Sequence, residues 1–287
     1  MTTTVLTAAV SHGRAVAARL PRLSSILSLA FAALLVLCVA APQWLTPYDP
    51  LEADFLAILQ PPSWTHPFGT DRIGRDVLAR IIHGAHFSLS IGLAGTVISV
   101  LFGVLLGILA GQRNRWADEG LCRVFDVISS YPGVLLAMMV VTFMGNEARN
   151  IAIAVGIAGI PKFARLVRAQ TQLVREADYV THAYIYGRSR LAVFCTHLLP
   201  NVLVAVPVVA TVYVGTTILA VSGLSFLGLG PQPPTPEWGV MLAEGRDVLR
   251  TAWWPSVFPG LAITLTVISF IVLGRDLQLR FERREAA

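Results

Sequence analysis

The sequence predicts an all-α integral membrane protein with about six transmembrane helices, and three observations carry that prediction. Of the 287 residues, 55% are hydrophobic and only 14% charged, with a mean hydropathy of +0.66. Soluble domains carry roughly a quarter charged residues. The apolar residues gather into runs long enough to cross a bilayer, which takes roughly 20 residues of helix. The joints between those runs differ in charge: six of the 22 basic residues (Arg72, Arg75, Arg80, Arg149, Arg246 and Arg250) fall on one side and the other sixteen on the opposite side. Basic residues concentrate in cytoplasmic loops, so both termini are expected inside. The net charge of +5 is thereby explained without nucleic acid, and the partner implied by composition is membrane lipid.

Six spans follow in order, at about 24–42, 87–111, 124–145, 148–166, 202–228 and 255–274. Arg14, Arg19 and Arg22 precede the first apolar run, Ile26 to Ala41, which is long for the core of a cleaved signal. Leu37 before Cys38 is unlike the small residue of a lipoprotein cleavage site, so the first span is expected to be retained. Between spans 1 and 2, Thr70 or Asp71 is placed to cap a helix, with Asp71/Arg75 and Asp76/Arg80 paired at i,i+4. Ile73, Val77, Leu78 and Ile81 give that helix one apolar face, as expected of an external interfacial helix ahead of span 2. Span 2 carries Gly95, Ser99, Gly103, Gly107 and Gly111, a small-residue stripe that suits a helix-packing seam first and a substrate-lining face second.

Spans 3 and 4 are less regular. Their clean apolar parts are Val134–Met144 and Ile151–Ile160, the latter ending at Pro161 and Lys162. Two short sheltered helices or one re-entrant pair both satisfy this pattern. In span 5, Thr211, Gly215, Ser222 and Ser225 share a face that suits either a pore or a packing seam. After it, prolines at 231, 233, 234 and 236 impose an extended path. Glu237 and Trp238 then lead into a second interfacial helix, with the indole expected at headgroup level. The chain divides into a cytoplasmic segment 1–23, a first helix with external segment 24–86, a transmembrane core 87–274 and a cytoplasmic tail 275–287.

No catalytic or metal-ligating constellation stands out. Cys38, Cys122 and Cys195 lack metal spacing and are odd in number, so neither a metal nor a disulfide framework is predicted. A phosphate loop needs G-x-x-x-x-G-K-[ST]. The single lysine, Lys162, follows Pro161 with no glycine-rich loop, so any ATP chemistry belongs to another chain and no cofactor is expected here. The competing class is an ion-coupled secondary transporter or channel, which depends on ionisable groups within the membrane. Spans 1, 2, 5 and 6 hold no Asp, Glu, Lys or Arg at their centres, and Asp126, Glu147 and Arg149 lie at the ends of spans 3 and 4.

The polar stretch 175–201 interrupts the apolar C-terminal half. Tyr179 to Gly187 reads as a short amphipathic helix with Tyr179, Ala183 and Tyr186 on one face. Ala183 and Gly187 would allow close approach of another surface, and Gly187 is a natural helix terminator. Pro200 suits the first turn of the next helix. The spacing of Ala183, Gly187, Leu199 and Pro200 resembles the "EAA" coupling loop of ATP-binding-cassette importers, with Thr181 and His182 at its first two positions. Together with GTDRIGRDVLARIIHGA (69–85) and LSFLGLGPQPPTPEWG (224–239), it resembles the dipeptide/oligopeptide/nickel family of importer permeases, and its "C"-type subunit most. The likeness runs from about Ser24 to Leu273. Its matching external positions are Gly69, Thr70, Asp71, Gly74, Arg75, Asp76, Pro233, Pro234, Trp238 and Gly239.

The resemblance implies a permease subunit in a bacterial inner membrane, importing di- or oligopeptides. It further implies a homologous second permease subunit, two ATPase subunits and an external substrate-binding protein. The loop helix would dock in a cleft of an ATPase subunit.

Overall fold

The computed structural model describes residues 20–112 and 114–285. The expected cytoplasmic segment 1–23 lies almost wholly outside the described residues. Helix α1 is Leu20–Ala40, followed by a short turn at Pro42–Trp44 and an irregular stretch to residue 76. Then come α2 (Val77–Gly111), α3 (Arg115–Ser129), α4 (Gly133–Met144) and α5 (Ala148–Arg175). The rest comprises α6 (Asp178–Ile185), α7 (Arg190–Leu203), α8 (Val206–Phe226), α9 (Trp238–Arg246) and α10 (Trp254–Glu285). Five of these helices are long and apolar enough to cross a membrane, or six if α3 and α4, bent by 86°, count as one span.

The α2–α5 pair forms the spine. A Cβ on Gly95 would lie 3.2 Å from the Ala152 carbonyl oxygen, one on Gly107 2.6 Å from that of Ala164, and one on Gly111 2.5 Å from Thr171 Cβ. The small-residue stripe is therefore a packing seam, since backbones this close leave no room for side chains. Ser99 Oγ donates to the carbonyl of Gly156, 2.8 Å away, across the same seam. On the other side, α8 packs on α10, and α1 closes an apolar cluster with α2, α9 and α10 that includes Leu35, Val77, Leu89, Ile218 and Trp238.

Several expectations change. Among the described residues, no separate interfacial helix precedes span 2: its apolar face is the first turns of a continuous 35-residue α2. The cap is Asp76, which accepts from Ala79 N at 2.6 Å, and not Thr70 or Asp71. The 86/87 boundary thus falls inside one helix. Asp76 and Arg80 do not pair, because capping turns the carboxylate toward Ala79 N and His66 while Arg80 reaches Asp71 and Glu244. Span 4, expected to close near 166, runs on through Pro161 to Arg175. Pro161 removes one backbone donor, but Phe163, Ala164 and Val167 on the following turn are fully buried beneath α2, and α5 continues.

Helix α10 runs past 274 through the expected tail to Glu285. Pro200 lies in the first turn of the helical segment Leu199–Leu203, as expected, although that segment opens no membrane span. It lies within α7 just after a π-helical turn, Phe194–Leu198, and the wider turn accommodates a ring that cannot accept standard i−4 geometry. The transmembrane helix starts later, with Pro207 in its first turn.

Candidate functional site

The residues singled out by sequence fall at opposite ends of the molecule. At the end where α2 begins, the 69–80 segment folds onto α9 around a buried charge cluster. Asp71 accepts from the backbone N–H of Ile73 and of Arg75, both at 3.0 Å. Its second oxygen accepts from Arg75 Nε and Arg80 Nη1, both at 2.6 Å. Across the cluster, Glu244 lies 3.1 Å from Arg75 Nη2 and from Arg80 Nη2, and 3.3 Å from the more exposed Arg72. Burial pushes the Asp71 carboxyl upward, but the Ile73 N–H and the two guanidinium groups outweigh it and hold the group below its ordinary range.

The neighbouring positions are held just as tightly. Gly74, at φ +84°, needs a left-handed turn where a side chain would strike the Asp54 backbone. Gly69 is also left-handed, and a Cβ there would sit 2.6 Å from the Gln60 carbonyl oxygen. Thr70 accepts from Gln60 N and donates to the Ala57 carbonyl, tying down the loop rather than a helix. Asp76 accepts a hydrogen bond from Ala79 N and contacts His66 Nδ1 at 2.8 Å.

Trp238 is an internal residue and not an exposed anchor. It is 1% exposed, and its indole N–H donates to the Ile81 carbonyl at 2.9 Å. A tryptophan buried to this extent needs an internal acceptor, and the first turns of α2 supply it. Beside it, the fully buried Glu237 caps α9 through Val240 N and accepts from Ser88 Oγ at 3.1 Å. Burial raises the Glu237 carboxyl against those donors. Gly239 lets the chain pass 2.5 Å from the Ser222 carbonyl oxygen, measured to a hypothetical Cβ. Pro233 and Pro234 stay exposed. The Ser222/Ser225 part of that α8 face packs inside this chain against Gly239 and Gly230, while Gly215 packs on Val267. The sequence alone does not single out Glu244, His66 or Trp254, whose indole donates to Thr70 O at 2.9 Å. Their partners are up to 184 residues away.

At the other end, α6 and α7 project beyond Gly111, steadied by Arg175 Nη1 donating to the Gly111 carbonyl at 2.8 Å. Helix α6 ends in a Schellman motif: Arg188 N–H donates to Ala183 O at 3.1 Å, Gly187 N–H to Tyr184 O at 3.0 Å, and Gly187 has φ +78°. Val180 and Ala183 pack onto Val193 and Leu198, and Ala183, 9% exposed, also reaches the floor of an open groove. A Cβ on Gly187 would meet nothing within 4 Å. The outward surface is Tyr184, Ile185, Tyr186 and, on α7, Leu191. Tyr179, exposed, meets His197 edge-on, and with His182, Ala183, Tyr186 and Arg188 they line that groove. Thr181 and His182 are exposed, Leu199 is half-buried, and Pro200 is exposed. Nearby, Arg168 clamps Asp118 through two contacts at 2.5 and 2.7 Å, joining α3 to α5.

A bundle of long apolar helices with a buried polar clasp at one end and a helical elbow at the other is the architecture of a multi-pass membrane protein. Residues 103–286 match the family model described as the inner membrane component of binding-protein-dependent transport systems, and the chain belongs to that family, as a multi-pass inner membrane protein. It is 42% identical over 258 residues to the di/tripeptide transport system permease protein DppC of Pseudomonas aeruginosa, covering 87% of this chain and 84% of the other. It is 39% identical over 249 residues to the glutathione transport system permease protein GsiD of Pectobacterium atrosepticum, covering 86% and 83%. It is also 40% identical over 220 residues to the dipeptide transport system permease protein DppC of Alkalihalophilus pseudofirmus, covering 77% and 72%. Among solved structures, an amino acid ABC transporter chain is similar in fold, with TM-score 0.55 and 14% identity over 71% of this chain and 94% of that one.

Proposed function

We propose that this chain is the "C"-type permease subunit of an ATP-driven importer of di- or oligopeptides. The observation that carries the proposal is sequence identity of about 40%, over most of the chain, to proteins named as peptide and glutathione permeases. It forms the translocation path with a homologous second permease, receives substrate from an external binding protein, and couples to two ATPase subunits through the 179–187 helix. The exposed Tyr184, Ile185, Tyr186 and Leu191 support docking, because apolar side chains projecting beyond a membrane bundle are ordinarily covered by a partner. The absence of a phosphate loop around the single Lys162 supports separate ATPase subunits. An ion-coupled transporter gains no support from the buried charges: Asp71, Arg75, Arg80 and Glu244 are engaged with one another at the end of the bundle.

With both termini cytoplasmic, the α6–α7 elbow lies in the cytoplasm and the Asp71 cluster outside. Reporter fusions test this directly. A reporter after Arg190 should be cytoplasmic and one after Gln232 external; an external Arg190 reporter overturns the orientation and the coupling role together. The purified chain should neither bind nor hydrolyse ATP, and nucleotide turnover should appear only on co-expression with ATPase subunits. Tagging the chain and purifying it from native membranes in mild detergent should bring down a second permease and ATPase subunits. Nucleotide binding by the isolated chain, free of contaminants, would show the motor assignment to be wrong.

A further inference from the structure

Lys162 is the only lysine in the sequence. It lies near the middle of the 28-residue α5, roughly 20 Å from either end. Its side chain is exposed, although the helix meets the requirements for a membrane crossing. Among the described residues, every arginine of α5 is engaged: Arg149 with Glu147, Arg165 with Asp126, Arg168 with Asp118 and Arg175 with the Gly111 carbonyl. Among those same residues, no carboxylate lies within ion-pair distance of Lys162. Its ammonium sits over the ring of Tyr213 on α8, 4.9 Å from the centroid.

That ring is held in place. It meets Phe163 edge-on at 5.2 Å, and its hydroxyl fits against Gly159 and Ser99, where any side chain on residue 159 would collide with it. One turn further along α8, Thr216 is exposed, and its hydroxyl donates to the Tyr213 carbonyl at 2.8 Å. A cation in a membrane helix is costly against lipid and is found facing a bundle interior or a water-filled route. Here a fixed aromatic platform holds the ammonium at one face, and among the described residues no carboxylate takes up its N–H donors. The site is therefore built to receive an anion from the unpartnered side of α5 and α8.

We propose that Lys162, on its Tyr213 platform, is a carboxylate-binding point on the translocation path and takes the C-terminal carboxylate of the transported peptide. This rests on the peptide-importer assignment above. The chemistry suits a transporter of varied peptides. Their side chains differ, but each carries one terminal carboxylate, so a single cation serves them all without reading sequence.

The test uses the complete transporter, with its second permease, ATPase subunits and binding protein, reconstituted in liposomes and supplied with trialanine. Lys162→Met should lower trialanine uptake at least tenfold, and Lys162→Arg should restore most of it. Because the chain has no other lysine, a water-soluble amine-reactive ester should modify only Lys162 and the terminal amine, and trialanine delivered by the binding protein should protect Lys162. Wild-type uptake by Lys162→Met, or no modification of Lys162, overturns the site while leaving the importer assignment standing. Loss of the second permease on purification of Lys162→Met also overturns it, because the ammonium then pairs with an acidic side chain of that subunit. An assembled wild-type complex that imports no trialanine overturns the peptide-importer assignment, and this site with it.

Discussion

Asp71→Ala should destabilise the protein by about 3–5 kcal/mol, the range for removing one partner from a buried ion pair. Its carboxylate accepts four hydrogen bonds, two from backbone and two from guanidinium groups. The arginines it serves are 2% and 1% exposed, so neither gains water when the carboxylate is deleted. Both would then depend on Glu244 alone. In detergent the apparent melting point should fall by roughly 10 °C. Arg72→Ala is the control: its side chain is 45% exposed and 3.3 Å from Glu244, and a solvated pair of this kind contributes at most about 1 kcal/mol. If Asp71→Ala costs no more than Arg72→Ala, the cluster is not a structural clasp. The pH dependence has a defined sign. A carboxyl held below its ordinary value contributes stability that is complete at neutral pH and is lost as pH falls through the folded value, below about 4. Acidification from pH 7 to 5 should leave this contribution unchanged.

The same cluster marks what was legible in the sequence. Asp71 and Arg75 are four apart, a spacing that fits a helical pair, and they do pair. The pairing belongs to a turn closed by Asp71 itself, with the helix beginning only after Asp76. Local spacing cannot separate these cases, because the deciding partner, Glu244, is 169 residues from Arg75. Span 4 is longer than its apolar run for a related reason: burial of Phe163, Ala164 and Val167 against the glycines of α2 carries the helix past Pro161. Trp238 has the composition of an interfacial anchor, but the Ile81 carbonyl gives its N–H an internal acceptor. Features whose causes are local were legible: the apolar runs, the glycine seam of α2 and the termination of α6 at Gly187.

Gly187→Leu should lower uptake at least tenfold while leaving membrane insertion intact. Two costs contribute. Residue 187 has φ +78°, and an L-residue held in the left-handed region costs roughly 1–2 kcal/mol. The free chain adds no collision, since nothing lies within 4 Å of a Cβ at this position. A second cost arises only if α6 docks against an ATPase subunit. Overpacking a fitted interface costs about 1–3 kcal/mol, equivalent to roughly 5- to 150-fold in affinity. Gly187→Asn separates the two, because asparagine adopts the left-handed conformation more readily. If backbone strain alone matters, the Gly187→Asn variant should transport and retain ATPase subunits as the wild type does. If the position faces a docked surface, Gly187→Asn should also lose ATPase subunits on purification, though less than the leucine variant. Thr181→Glu, on an exposed position one turn into α6, should be tolerated in both assays. Normal uptake by Gly187→Leu at normal expression would show that α6 is not the element through which ATP hydrolysis reaches the bundle.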